Sequence, residues 1–126
     1  AIKLINVFWP GPLTLILKKK PALKISKLYS STDNSIGVRV PAHDIPKQII
    51  KKCNFPILCT SANISGKKSQ INIKGIKESF KNKKIIIING GTTKFKKDST
   101  VVDVTKNKIN ILREGYINKK KLNQFI

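Results

Sequence analysis

Acidic side chains are scarce in this chain: six Asp and Glu stand against 26 Lys and Arg, for a formal net charge of +20 at pH 7. Two readings of the excess stand side by side. A strongly basic chain attracts nucleic acid or another polyanion. An AT-rich genome also biases codons toward lysine, isoleucine and asparagine, all abundant here. Cysteine and histidine are scarcer still, with Cys53, Cys59 and His43 the whole supply. No Cys/His cluster with zinc spacing can be assembled from them, and neither a structural zinc nor a disulfide framework is expected. Two idle or buried thiols in a reducing compartment are the plain reading.

Long apolar runs are missing too. The stretch before Lys18, Lys19 and Lys20 is apolar, but Pro10, Gly11 and Pro12 break it, well short of the roughly 20 residues a membrane span needs. A secretory signal carries its positive charges in front of the apolar stretch, whereas here they follow it. A soluble, cytoplasmic protein with no membrane partner is expected. Two catalytic motifs are absent as well. Gly66-Lys67-Lys68-Ser69 resembles the end of a phosphate-binding P-loop, but Ser61 stands where that motif needs a glycine and Lys68 where it needs Ser or Thr. No Gly-x-Ser-x-Gly surrounds Ser61 or Ser99, and Asp44 beside His43 does not make a triad, so serine hydrolysis is not indicated.

What is present suits one ordinary domain: 126 residues, 40% of them hydrophobic, with no internal repeat and no linker. β-Branched or alternating segments predict strands at Leu13 to Leu17, Ile36 to Val40, Pro56 to Thr60, Lys84 to Asn89, Thr100 to Val104 and Ile109 to Leu112. Helical spacing predicts helices over Ile45 to Cys53 and Ile73 to Phe80, and a last one capped by Asn118 and running through Phe125. Lys24 to Asn34, rich in Ser, Asp and Asn, reads as a loop. Strands mixed with helices of this length give an α/β (α+β) fold, a twisted mixed sheet with flanking helices.

Candidate binding residues cluster where strands end. Pro56 to Thr60 runs directly into Ser61, Asn63, Ser65 and Gly66, a set of small donors suited to phosphate or carboxylate oxygens. An ordinary strand-to-helix loop would read the same way. Arginine is more telling, because only Arg39 and Arg113 break the dominance of lysine among the basic residues. Where lysine is tolerated so widely, arginine marks positions that need a planar fork for carboxylate or phosphate, unless the two stand there by chance.

Taken in order, Phe8-Trp-Pro-Gly-Pro-Leu-Thr-Leu15, Gly37-Val-Arg-Val-Pro41 with His43, Thr60-Ser-Ala-Asn-Ile-Ser-Gly66, Gly90-Gly91, Ser99-Thr-Val-Val-Asp103 and Leu112-Arg-Glu-Gly115 resemble the YrdC-type threonylcarbamoyl-AMP synthase family over almost the whole chain. The resemblance implies a synthase that joins L-threonine, bicarbonate and ATP into threonylcarbamoyl-AMP and releases pyrophosphate. Magnesium would shield the phosphates, and no protein metal ligand is implied. A downstream threonylcarbamoyl transferase would then modify tRNA. The same resemblance implies that Arg39, Ser99 and the Cys59 backbone hold threonine, that Ser35, Ser61, Ser69 and Arg113 contact the adenylate, and that Asn63 shapes the loop. No residue is implied as an acid-base catalyst.

Two departures qualify this. The family carries, ahead of the Phe-Trp-Pro-Gly-Pro segment, a Lys-x-Arg region that contacts ATP, and the present sequence has none of it. The sequence also starts at Ala1 with residues that already read as structured. Residues 1–126 are therefore expected to be a partial YrdC-like domain, incomplete at its N-terminus. Between Gly91 and Ser99, the stretch Phe95 to Asp98 replaces a glycine usual in the family. The charge leaves an alternative function open, that of a basic module binding double-stranded RNA or tRNA without catalysis. A decayed fragment lacking some of its strands is the blander alternative.

Overall fold

The computed structural model describes residues 1–21 and 34–125. In chain order its elements are α1 (Ile2–Phe8), β1 (Leu13–Lys18), β2 (Ser35–Val38), α2 (Asp44–Cys53), α3 (Ile73–Ser79), β3 (Thr100–Asp103), β4 (Asn110–Arg113) and α4 (Lys119–Leu122), the last continued by a 3-10 turn over Asn123–Phe125. The chain falls into two compact units, one made of Ala1–Leu58 with Ser99–Ile126 and the other of Cys59–Asp98.

The first unit is built on a four-stranded sheet in the order β2-β1-β3-β4. β1 and β3 run parallel, while β2 and β4 pair antiparallel on the outside. It is the mixed sheet with helices that the sequence predicts. Alternation decides its faces. Leu13 and Leu15 of β1 and Thr100 and Val102 of β3 are fully buried, whereas Thr14, Ile16, Val101 and Asp103 between them are only half-buried. Leu4 and Phe8 of α1, four residues apart on one helical face, join Ile117 and Leu122 over the buried side to close the core. Full burial of one such leucine is worth about 1.5–3 kcal/mol. Phe125 meets Phe8 edge-on, with ring centroids 5.5 Å apart, and the Lys121 ammonium lies 5.7 Å from the Phe8 ring centroid.

Helix α2 has a cap at each end. The His43 ring nitrogen Nδ1 accepts from the Ile45 amide at 3.2 Å, and Asn54 closes the far end in the left-handed region with φ of 58°. At α4 the predicted Asn118 cap forms, its side chain accepting from the Lys121 amide at 2.9 Å, although the helix tightens into the 3-10 turn after Leu122. Helix α1 was not anticipated: it has seven residues and no capping side chain. No helix among the described residues is long and apolar enough to cross a membrane.

The second unit carries α3, capped by the Asn72 side chain, which accepts from the Gly75 amide at 3.0 Å, and no strand among its described residues. Two predicted strands do not form: Lys84 to Asn89 in this unit, and Pro56 to Thr60, which begins in the first unit and ends in the second. β-Branched residues favour a pleated backbone, but a strand exists only when a neighbour completes its ladder. In the isoleucine run of Lys84 to Asn89, Ile86 is 96% exposed. The predicted loop Lys24 to Asn34 lies outside the described residues except for Asn34, whose φ is 57°.

Candidate functional site

The site begins at the turn that feeds β1. The Trp9 indole donates to the Leu13 carbonyl at 2.7 Å, and the Trp9-Pro10 peptide is cis. Gly11 is buried. Its amide donates to the Val40 carbonyl at 2.8 Å, and its carbonyl accepts from Arg39 Nε at 2.9 Å. A side chain at Gly11 would run into the Phe8 carbonyl oxygen, so the turn that holds Arg39 can be made only with glycine. Leu15 pairs with Val38, and one more step along the two strands sets Arg39 beside Thr14.

On the less buried face of the sheet, Thr14 is the next member of the row. Its Oγ1 lies 2.8 Å from Ser99 Oγ, joining residues 85 apart in sequence. A Cβ placed on Gly37 would meet Ile16 Cδ1 at 3.3 Å and Thr14 Cγ2 at 3.6 Å, so glycine there keeps side-chain bulk away from Thr14. Ser99 is buried just ahead of β3. Arg113, at the end of β4, donates to the Ser99 carbonyl from Nε at 3.2 Å and from Nη2 at 2.9 Å. Nη2 also reaches Ser99 Oγ at 3.2 Å. The resulting row across one end of the sheet runs Arg39, Thr14, Ser99, Arg113, with two hydroxyls between two guanidiniums. Ser35 lies elsewhere. It is buried at the start of β2, paired with Lys18 at the far end of β1.

Thr100 locks the row from behind. Its hydroxyl donates to the Ile117 carbonyl at 2.6 Å and accepts from the Gly115 and Ile117 amides, each at 3.0 Å. One donor and two acceptors are the full capacity of a hydroxyl. The turn after Arg113 is thereby pinned to β3 immediately beside Ser99.

In the second unit, Cys59 and Ser61 are exposed and Ser69 half-buried. Asn63 sits inside their loop. Its Nδ2 donates to the Ile64 carbonyl at 3.1 Å and the Lys67 carbonyl at 2.8 Å, while Gly66, with φ of 76°, turns the chain between them. The Ala62 carbonyl accepts from the Gln70 amide at 3.2 Å. Asn63 Oδ1 is buried and has no hydrogen-bond partner among the described residues. The eight residues proposed from sequence thus fall into two sets: Ser35, Arg39, Ser99 and Arg113 in the first unit, and Cys59, Ser61, Asn63 and Ser69 in the second. Thr14, Gly11 and Thr100 were missed. Thr14 and Gly11 lie within the Phe8 to Leu15 motif, and Thr100 lies directly after Ser99.

Carboxylates play little part in this geometry. Hydrogen bonds from the Thr105 amide and hydroxyl, at 2.8 and 2.7 Å, hold the Asp103 carboxyl below its usual range. The Lys47 ammonium, 2.8 Å from Asp44, does the same there. No three His, Cys, Asp or Glu side chains among the described residues gather as a metal site.

One end of the mixed sheet gathers two forked guanidiniums and two hydroxyls. The family model for Sua5/YciO/YrdC proteins, described as "Telomere recombination", matches residues 1–115, and the chain belongs to this family. It is 40% identical over 108 residues to the threonylcarbamoyl-AMP synthase of Pyrococcus abyssi, an alignment covering 86% of this chain and 31% of that protein. To the Bacillus subtilis threonylcarbamoyl-AMP synthase it is 31% identical over 126 residues, covering 100% of this chain and 36% of that one. The crystal structure of P. abyssi Sua5 complexed with L-threonine is similar with a TM-score of 0.89 and 36% identity, over 99% of this chain and 36% of that chain. The chain therefore spans about a third of the length of these relatives.

Proposed function

We propose that the chain is the later part of a threonylcarbamoyl-AMP synthase, with residues 1–126 a partial YrdC-like domain. In the complete reaction the threonine nitrogen takes up the carbon of bicarbonate as a carbamate, with loss of water. A carbamate oxygen then attacks the α-phosphorus of ATP and pyrophosphate leaves. The enzyme is in this reading a nucleotidyltransferase that binds ATP, with magnesium travelling on the phosphates. Its product serves cytoplasmic tRNA modification through a downstream transferase. The row Arg39, Thr14, Ser99, Arg113 carries the reading, because the reaction handles a carboxylate, a carbamate and a triphosphate and needs positioned cations and neutral donors more than a proton shuttle. The names of the relatives and the L-threonine bound to P. abyssi Sua5 support it.

Within this proposal Arg39, Ser99 and the Cys59 backbone take the threonine moiety, and Ser35, Ser61, Ser69 and Arg113 take the adenylate. Asn63 holds the loop carrying Ser61. Arg113 keeps Nη1 for the ligand, since its bonds to Ser99 use only Nε and Nη2. The Lys-x-Arg region of the family supplies the rest of the ATP site. The test joins that upstream segment to this chain and measures threonylcarbamoyl-AMP formed from L-threonine, bicarbonate and ATP by mass spectrometry. Product is expected, with Arg39→Ala raising the threonine requirement. An active protein indifferent to Arg39→Ala removes the threonine-side assignment.

The net charge of +20 favours a second reading, a basic module that binds double-stranded RNA or tRNA. Catalysis and RNA binding are separable by their salt dependence.

A further inference from the structure

We infer that Thr14 is a positioning residue that donates to Ser99 Oγ and so keeps the Ser99 proton aimed at an anionic oxygen, the carboxylate of the bound amino acid. The inference rests on the assignment of Ser99 to the threonine side. A serine hydroxyl has one proton and two lone pairs. At Ser99 one lone pair faces Arg113 Nη2 at 3.2 Å, a group that can only donate. The contact with Thr14 at 2.8 Å can run in either direction. That freedom makes the pair a rotor. With no anion present, the Ser99 proton turns to Thr14. When an anionic oxygen arrives, it is the stronger acceptor and takes that proton, while Thr14 turns its own proton onto the second lone pair of Ser99. Ser99 then donates once and accepts twice, and no part of the buried hydroxyl is left unsatisfied.

The surroundings support this reading. Arg113 withdraws electron density from Ser99 Oγ and so sharpens its O–H as a donor. Gly37 puts no side chain over Thr14. The Thr14 hydroxyl has no other hydrogen-bond partner among the described residues, so its proton is available to the pair. Valine at this position keeps the β-branched shape that packs in β1 and removes only the hydroxyl.

The test measures binding of L-threonine and of L-threoninamide, which lacks the anionic carboxylate, to the full chain by calorimetry. Wild type, Thr14→Val, Thr14→Ser and Ser99→Ala are compared, each with its melting temperature. Thr14→Val is expected to weaken L-threonine about tenfold and to leave L-threoninamide unchanged, with Thr14→Ser restoring the preference for the acid. Equal weakening of both ligands would assign Thr14 a merely structural role and overturn the inference. So would Thr14→Val that binds like wild type while Ser99→Ala loses L-threonine, an outcome that leaves the threonine reading standing. A wild-type chain that takes up neither ligand, or a Ser99→Ala variant that binds L-threonine normally, overturns the threonine assignment of Ser99 and the Thr14 inference with it.

Discussion

Arg113 clasps the main chain of Ser99 with two nitrogens, Nε at 3.2 Å and Nη2 at 2.9 Å from one carbonyl oxygen. A lysine reaches such an oxygen with one ammonium and no fixed fork. Arg113→Lys is therefore expected to lower stability by about 1 kcal/mol, the net worth of a hydrogen bond. In the joined synthase it is expected to lower product formation more than that loss accounts for, because Ser99 is no longer held and the proposed adenylate contact goes with it. Urea denaturation and single-turnover product formation read the two effects separately. Unchanged product formation would make the clasp purely structural.

Thr100 offers a sharper stability test. Replacing it with valine keeps the shape, but strips three backbone groups of Gly115 and Ile117 of their partner. Ile117 is 4% exposed and so cannot turn to water. Each buried group left unpaired costs about 1–3 kcal/mol. Thr100→Val is expected to cost about 3 kcal/mol or more by that arithmetic, whereas Val101→Thr on the half-buried face is expected to change stability little. Urea denaturation with an unchanged slope checks both.

Gly11 makes no proposed contact with a ligand, yet it is expected to matter for threonine. A methyl group there meets the Phe8 carbonyl oxygen, and the turn must shift to relieve it. The Gly11 carbonyl is what holds Arg39 Nε, at 2.9 Å. Gly11→Ala is expected to destabilise the chain by about 1–3 kcal/mol and to weaken L-threonine binding even where the variant remains folded. Calorimetry below the melting transition decides. Wild-type affinity in a folded Gly11→Ala variant would detach Arg39 from the turn.

The strands that the sequence makes legible are those whose alternation matches a sheet with a buried face. Leu13 and Leu15 of β1 and Thr100 and Val102 of β3 point one way, and the pattern alone reveals it. His43 and Asn118 act as caps at positions local enough to read. Lys84 to Asn89 has the same β-branched character but forms no strand, because propensity cannot supply a neighbour. Helix α1 was hidden by its brevity and by the apolar run it shares with β1. In the candidate site, the scarcity of arginine drew attention to Arg39 and Arg113 from composition alone. What composition could not show is that both spend part of their guanidinium on backbone carbonyls, of Gly11 and of Ser99. Thr14 was out of reach for the same reason. Its partner lies 85 residues away, and only strand register brings them together.

Binding to RNA is expected to separate from the synthase chemistry by its response to salt. Lys51 and Lys52 are exposed on α2, and Lys119 and Lys120 on α4. Lysines of this kind hold phosphate as point charges and release counterions when they do so. If they account for RNA binding, the logarithm of affinity falls linearly with the logarithm of salt concentration, by about 0.9 for each phosphate neutralised on a duplex, and exchanging the RNA sequence changes little. Lys51→Gln with Lys52→Gln is then expected to reduce the slope, while L-threonine binding, proposed to use arginines and hydroxyls on the sheet, remains as in wild type. Gel shifts across a salt series measure the slope. Retention no greater than that of an unrelated lysine-rich protein at about 150 mM salt would reduce the charge to composition and leave the oxyanion row as the chain's binding chemistry.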